Sequence, residues 1–453
     1  MKAAVASRAL LNDPIGKTLW RMTWPVIFGI ATLISFNVVD TFFVGLLGTE
    51  PLAAVSFTFP VTFTVVSLSI GLGIGTSAVI ARHYGAEQGE KAHFDGYAAL
   101  VLSAVLVALL SLLGYLLMTP IFALLGASQT LMPLIRDYMS IWFIGSTLLV
   151  TPMIGNAVLR ASGDTRTPSL IMASGGVLNA IFDPILIFGW GPVPAMGVQG
   201  AALASLISWV VGVALVLWLL QREKLISWIA PAGTTLWSSM RQILRIGLPA
   251  ASANMLTPLA MAVMTAIIAA YGAPAVAAFG VGSRIESLAS ILILALSMSL
   301  PPFISQNVGA GRYQRVEQAY KTALAAIMAL QLVIYVLLLL LADPIAAAFS
   351  QEQAVDEIVK LFIYIMPLGY GVQGCVILTN SSFNAIHQPI KALWLSVIRL
   401  FVFFVPCSYL GSLIADIHGL FVGGVIANLL TAVIAYLWFN QVLKQTLAQQ
   451  AAR

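Results

Sequence analysis

The sequence predicts an all-α integral membrane protein with twelve transmembrane helices in two lobes of six. Three observations support this fold class: the composition, the number of apolar runs and an internal repeat. Of the 453 residues, 60% are hydrophobic and 9% are charged, whereas a soluble domain carries about 25% charged residues. The mean hydropathy of +0.97 fits a chain that lies mostly within a bilayer.

The apolar runs have the length that a bilayer requires, about 20 residues each. Turn residues such as Gly48–Pro51 and Trp190–Pro194 separate several of them. Twelve spans are predicted, at roughly 20–46, 52–81, 94–118, 131–160, 167–189, 197–220, 242–270, 276–305, 319–341, 355–385, 390–413 and 417–440.

Basic residues between the spans fall in every second loop, which predicts the orientation. The intervening loops, around Glu50, Gln129, Pro192, Ala273, Glu352 and Asp416, contain no Lys or Arg. Because cytoplasmic loops carry the excess of Lys and Arg, both termini are expected in the cytoplasm, with the protein in a bacterial inner membrane. The basic residues therefore report orientation, and no nucleic-acid partner is expected.

Residues recur at a constant offset of 224 along the chain. Pro25 meets Pro249, Gly85 meets Gly309, Pro120 meets Pro344, Gly145 meets Gly369, and Gly200 meets Gly424. Gapless Gly and Pro matches indicate a duplicated unit of six spans. Since six is even, both halves enter the membrane in the same direction, which is a parallel repeat. The expected lobes are 14–222 and 240–446, joined by a cytoplasmic linker, 223–239.

Two carboxylates lie inside predicted spans, Asp40 in the first and Asp183 in the fifth. A charge at the bilayer centre costs about 2.5–3.5 kcal/mol on insertion scales, and such residues usually face a water-filled pathway. Both lie near the outer ends of spans that run in the same direction, so we expect them at one depth. Their repeat counterparts are Met264 and Cys407. The function of the pair therefore belongs to the N-terminal lobe.

Further polar residues are expected close to the carboxylates. They are Asn37, Tyr138, Asn156, Asn179 and Ser205. Asn179 shares a helical face with Asp183, four residues later. Together these groups could bind a proton or a small hard cation such as Na⁺ through oxygen ligands. The alternative is structural, because Asn, Ser and Tyr also hydrogen-bond helix to helix in membranes.

Other residues of the spans allow two interpretations each. Pro25 and Gly29 could form a hinge in span 1 or a static kink. Arg284 and Glu286 in span 8 are expected to form a structural charge pair or to tie the helix to its neighbours.

The sequence also argues against several classes of protein. The glycines of 71–75 lie inside a span with no preceding strand, so they indicate close packing and not a phosphate-binding loop. Neither a His/Cys metal cluster nor a nucleophile–base pair is found, so neither an enzyme nor a cofactor is predicted. Energy is expected from an ion gradient of H⁺ or Na⁺, and the chain is expected to act as a monomer.

With these features in view, the chain resembles the multidrug and toxic compound extrusion (MATE) family over essentially its whole length. The residues that carry the resemblance are DPIGKTLWRMTWPVI, NVVDTFFVGLLGTEPLAAV, VLRASGDTRTP, NAIFDPILIFG, GVQGAALAS and GSRIESL. The resemblance implies a V-shaped pair of six-helix bundles. It also implies export of amphipathic, often cationic drugs in exchange for H⁺ or Na⁺.

The resemblance further implies roles for individual residues. Asp40, Asn179 and Asp183 match the proton or cation site of the DNA-damage-inducible-F branch, Tyr138 and Asn156 match positions near the drug pocket, and Pro25 matches the bend of span 1. A further ligand from span 6 is either Ser205 or Ala201. One alternative is an exporter of a lipid-linked or polysaccharide precursor from the same superfamily, although no central cluster of Lys or Arg is found for a pyrophosphate. Another is a major-facilitator-type transporter, although the loop RHYGAEQGEKA after span 2 lacks the Asp-Arg-x-Gly-Arg-Arg-like sequence of that class.

Overall fold

The computed structural model describes residues 9–228, 233–349 and 353–451, and their structure is almost entirely helical. The helices are α1 (Ile15–Leu46), α2 (Thr49–Gly85), α3 (Gly89–Leu116), α4 (Met118–Leu124), α5 (Met132–Ala161), α6 (Arg166–Phe188), α7 (Val198–Arg222), α8 (Gly233–Ala269), α9 (Ala273–Ala289), α10 (Ile291–Gly309), α11 (Tyr313–Leu340), α12 (Ala342–Phe349), α13 (Gln353–Ile365), α14 (Tyr370–Ala385), α15 (Pro389–Val397) and α16 (Val405–Ala451). A 3₁₀ turn, Met366–Gly369, joins α13 to α14, and a π-helical segment, Ile398–Phe404, joins α15 to α16.

Twelve membrane crossings follow from these helices. Eleven segments of the described chain are long and apolar enough to cross a membrane, the last being Pro389–Gln449. That segment turns back on itself, because the backbone is non-helical at Ala415 and Asp416. Gly411 consequently lies against the backbone of Gly419, a contact that a straight helix, which rises about 1.5 Å per residue, could not make. The prediction of twelve spans is confirmed.

The internal repeat is visible in the backbone. Helix α2 begins 224 residues before the pair α9–α10 begins, and it ends 224 residues before that pair ends. The same offset separates both ends of α3 from those of α11. Residues with positive φ follow the same offset: Gly48 (118°) with Gly272 (94°), Glu87 (59°) with Gly311 (71°), and Gly163 (96°) with His387 (62°). The same turns therefore recur between the same helices, as the duplicated unit requires.

Three predicted spans contain breaks that length and hydropathy do not predict. The span at 276–305 is divided between α9 and α10 at Ser290, whose φ and ψ are −77° and −8°. The span at 355–385 contains the 3₁₀ turn with Pro367, which has no backbone N–H to donate. The span at 390–413 contains the π-helical segment, which includes Arg399. The break at Ser290 lies four residues after Glu286, and the π-helical segment contains Arg399, so two of the breaks lie at or near charged residues of the second half.

The described chain forms two compact units. The first contains residues 9–12 and 21–251, and the second contains 13–20 and 252–451. Helix α8 therefore begins in the first unit and ends in the second. The lobe limits inferred from the sequence, 14–222 and 240–446, stay a prediction, and residues 229–232 of the expected linker lie outside the described residues.

The glycines of 71–75 allow two helices of the first unit to approach closely. A Cβ on Gly71 would lie 2.5 Å from the backbone nitrogen of Ala251, and one on Gly75 would lie 2.5 Å from the backbone oxygen of Ile243. Such distances exclude any side chain at these positions. The run therefore packs α2 against α8, as expected for packing glycine.

Candidate ion-coupling site

Helices α1 and α6 lie side by side in the first unit and run in the same direction. Residue numbers rise together along the two helices at each point of contact. The contacts are Gly29 with Ser169, Gly176 with Phe36, and Phe43 with Phe188. A parallel pair in this register brings Asp40 of α1 to the level of Asp183 of α6, at the same depth, as the sequence predicts.

Asp40 and Asp183 form the centre of the site. Asp183 is completely buried, and Asp40 is partly buried. The two carboxyl groups are close enough to share a hydrogen bond. Among the described residues, no N–H or O–H group donates a hydrogen bond to Asp183 Oδ2. Because two ionised carboxylates have no proton to donate, a proton or a cation between them would complete the pair.

Asn179 connects this pair to the neighbouring helix α7. Its Nδ2 donates to Asp183 Oδ1 at 3.3 Å and to Ser205 Oγ at 3.3 Å. Ala201, the alternative to Ser205, is instead buried in an apolar cluster with Val44 and Ile187. Of the two candidates on this helix, Ser205 is the one hydrogen-bonded to the set.

Tyr138 of α5 forms one side of the site. Its ring packs against the same apolar cluster, and its phenol lies within electrostatic range of both Asp40 and Asp183. Val44 and Ile187 of this cluster lie four residues after Asp40 and Asp183, one helical turn along the same helix faces. Polar groups here are therefore held in surroundings of low dielectric constant, where interactions between charges are strengthened.

Two of the expected site residues lie apart from this set. Asn37 is exposed on α1, and its side chain makes no hydrogen bond within the described chain. Asn156 lies 18 residues after Tyr138 on α5, which is about 27 Å along the helix. It is buried towards the other end of α5 with Oδ1 unpartnered. Tyr138 and Asn156 are therefore well separated along α5, and their assignment to a substrate pocket stays a prediction.

Pro25 and Gly29 lie within α1, which continues as a helix through both residues. A Cβ on Gly29 would approach the Cα and Cβ of Ser169 to 3.1 Å. Gly29 thus has a packing role, because it allows α1 to lie close to α6. A hinge at Pro25–Gly29 stays a prediction.

The side chains of the site could hold a proton as they are placed, and a small hard cation once the Asn179 amide is rotated. As placed, the Asn179 amide directs Nδ2 at both acceptors, an arrangement that suits a carboxyl pair holding a proton. Rotating the Asn179 side-chain amide by a half-turn would direct its Oδ1, instead of its Nδ2, at the site. Two carboxyl groups, an amide oxygen and a hydroxyl are then the oxygen ligands that hard cations take.

A second group of polar residues, two of them buried and two partly buried, lies in the other unit, and the sequence did not predict it as a whole. Glu286 of α9 accepts a hydrogen bond of 2.9 Å from Gln373 Nε2 of α14. It lies within electrostatic range of Tyr370 and Arg399. Arg284 is exposed and forms no ion pair with Glu286 within the described residues, so the expected charge pair is wrong. The tie between helices runs through Gln373.

A buried carboxylate at the other end of the first unit was also missed. Asp95 is 3% exposed and lies 2.6 Å from Nδ1 of His83. It lines a cavity of about 330 Å³, and a second cavity of about 610 Å³ is lined by Arg241 and Arg245. Neither is lined by Asp40 or Asp183. A His–Asp pair at adjacent span ends was the signal that could have revealed it.

A family profile, relatives and solved structures of known proteins each match most of this chain. The profile of the family described as MatE matches residues 25–185 and 249–410. A protein of Shewanella oneidensis named FAD transporter is 42% identical over 94% of this chain and 95% of its own. A probable multidrug resistance protein of Bacillus subtilis, YoeA, is 25% identical over 88% of each chain. The crystal structure of the Vibrio cholerae MATE transporter VcmN in the bent form has a TM-score of 0.91 and 34% identity, covering 97% of this chain and 98% of that one.

Proposed function

The chain belongs to the MatE family, whose members are cation-coupled transporters and not enzymes, and from this premise we propose that it exports small molecules in exchange for H⁺ or Na⁺. The observation that carries the proposal is the Asp40–Asp183 pair with its Asn179 bridge. The repeated backbone and the multidrug-resistance relatives support the same class of function.

In the proposed cycle, the coupling ion and the substrate favour different shapes of the first unit. Two unit charges about 4 Å apart repel by about 4 kcal/mol at an effective dielectric constant of about 20. The two carboxylates therefore bind a proton or Na⁺ whenever they are brought close together. The hydrogen bonds from Asn179 then reorganise. An ion needs to prefer the substrate-free shape by only a few kcal/mol to drive release. Bending of α1 at Pro25–Gly29 would couple the two events.

The substrate class has two candidates. Relatives named for multidrug resistance and multidrug export favour a range of drugs, which the family resemblance implies are amphipathic and often cationic, with Tyr138 beside the ion site. The relative named FAD transporter, at 42% identity, favours a flavin nucleotide. The two differ in charge, because FAD carries a pyrophosphate. The chain is proposed to lie in a bacterial inner membrane with both termini cytoplasmic, since its basic residues fall in alternate loops.

The test is transport by the purified full chain in proteoliposomes. Inward gradients of protons and of sodium are imposed separately, and efflux of ethidium and of FAD is measured. Asp40→Asn should abolish gradient-driven efflux of either substrate. Asp137→Asn, which makes the same substitution on α5, serves as the matched control and should keep it. Full coupled efflux by the Asp40 variant would remove Asp40 from the mechanism.

A further inference from the structure

The second unit holds a charged cluster within its membrane-spanning helices. It comprises Glu286 on α9, Tyr370 and Gln373 on α14, and Arg399 in the π-helical segment. Tyr370 and Gln373 are three residues apart on a helix and so share a face. Charged residues inside spans usually face a bundle interior or an aqueous cavity. The cluster is therefore a candidate site, and the ion-coupling mechanism of the first unit does not use it.

Unpartnered donors distinguish this cluster from a closed structural network. The Tyr370 hydroxyl is buried in a side chain only 1% exposed, and it has no hydrogen-bond partner among the described residues. Arg399 Nε is also buried, and no described group accepts from it. Leaving a buried donor unsatisfied is costly, more so when it is charged. Both atoms are therefore able to donate to an acceptor that enters the cluster.

Glu286 does not fill this need. Its Oε1 takes the hydrogen bond from Gln373, and among the described residues it forms no ion pair with Arg399. Glu286 nevertheless lies within electrostatic range of Arg399 and Tyr370. It partly balances the arginine charge and leaves the donors free. The guanidinium of Arg399 and the phenol of Tyr370, each within electrostatic range of Glu286, are thus the donors available to an anionic group that enters the cluster.

The internal repeat shows that the fold does not require these side chains. At the offset of 224, Glu286 corresponds to Thr62, Tyr370 to Ser146, Gln373 to Leu149 and Arg399 to Gly175. None of the four counterparts is charged, and a Cβ on Gly175 would meet nothing within 4 Å. The first unit thus forms the corresponding helices without any charge here, and its counterparts of the 3₁₀ turn and the π-helical segment are continuous α-helix. The π-helical segment at Arg399 adds to the case, because such segments occur frequently at functional sites.

We propose that Arg399 and Tyr370 bind an anionic group of the exported substrate, of the phosphate class, and that Glu286 balances Arg399 when the site is empty. This inference rests on the flavin candidate for the substrate. Arginine suits the task because its planar guanidinium offers paired donors to phosphate oxygens. The pyrophosphate of FAD carries such oxygens, and riboflavin, with the same ring system, carries none.

The test measures binding to the purified full-length protein. Quenching of flavin fluorescence gives the Kd for FAD and for riboflavin, and ethidium serves as a cationic probe. Arg399→Gln should weaken FAD binding by roughly tenfold to a hundredfold, the range expected for hydrogen bonds to a charged group, and leave riboflavin binding unchanged. Tyr370→Phe should weaken FAD binding by a few fold. Arg284→Gln, at an exposed arginine of α9, is the matched control and should bind FAD normally.

Glu286→Gln keeps the test decisive if the arginine variant fails to fold. Removal of this carboxylate should tighten FAD binding, because Arg399 loses its competing charge; weaker binding would overturn the inference. Equal loss of FAD and riboflavin in Arg399→Gln, or unchanged FAD binding, would overturn it too, while flavin export itself could stand. Binding of ethidium but of neither flavin by the unchanged protein would reject the flavin substrate, and the anion site with it.

Discussion

Replacing Ser205 with alanine tests how the coupling site is built. The change removes one of the two acceptors of Asn179 Nδ2 and leaves the other, Asp183 Oδ1, in place. A neutral hydrogen bond contributes about 0.5–1.5 kcal/mol. At 3.3 Å the bond is long, so the lower half of that range applies, about 0.5–1 kcal/mol. The affinity for the coupling ion should therefore fall about twofold to fivefold.

The assay is efflux from proteoliposomes as a function of the concentration of the coupling ion. Ser205→Ala should shift the half-maximal concentration by that factor and leave the maximal rate nearly unchanged, since the carboxyl pair remains. Ser208→Ala is the matched control, because its hydroxyl bonds to the backbone oxygen of Ala204 and not to the site. Equal shifts in both variants, or none in Ser205→Ala, would refute the role assigned to Ser205.

Two further changes test the helices around the site. Pro25→Ala should slow transport and leave ion binding intact, because it supplies the backbone N–H that proline lacks and so stiffens the proposed hinge without touching a ligand; ion titration of the purified variant checks this. Gly75→Val should lower stability by about 1–3 kcal/mol, since a Cβ there would lie 2.5 Å from the Ile243 oxygen; thermal unfolding in detergent would show it, and an unchanged midpoint would contradict the packing argument.

The fold and the pairing of the carboxylates could be predicted from the sequence because the signals are long or repeated. Apolar runs of about 20 residues count the spans, and the constant offset of 224 orders them. Equal depth of Asp40 and Asp183 follows from their distance to the span ends. Helix partners follow less directly. The choice between Ser205 and Ala201 depends on the rotation of α7, which a one-residue shift in the preceding loop would change by about 100°.

Other features depend on contacts between distant segments and leave no periodic signal. Asn156 has the kind of polar side chain that an ion or drug site would use, yet its position on α5 places it far from Tyr138. Glu286 was visible as a charge in a span, but its partner Gln373 is 87 residues away on another helix. Arg284, only two residues from Glu286, looked like the natural partner. In a helix, residues two apart point in different directions, and here Arg284 is exposed.

The repeat also separates the functional from the structural interpretation of the first site. At the offset of 224, Asp40 corresponds to Met264, Tyr138 to Phe362, Asn179 to Phe403 and Asp183 to Cys407. In the second unit all four counterparts belong to one apolar cluster. The same backbone positions are therefore filled by hydrocarbon without loss of the fold. Replacing buried ionic groups by well-packed apolar ones is often neutral or stabilising, so a purely structural need would not favour two carboxyls here. Their presence at these positions in the first unit alone therefore favours the proposed ion-binding function over a structural one.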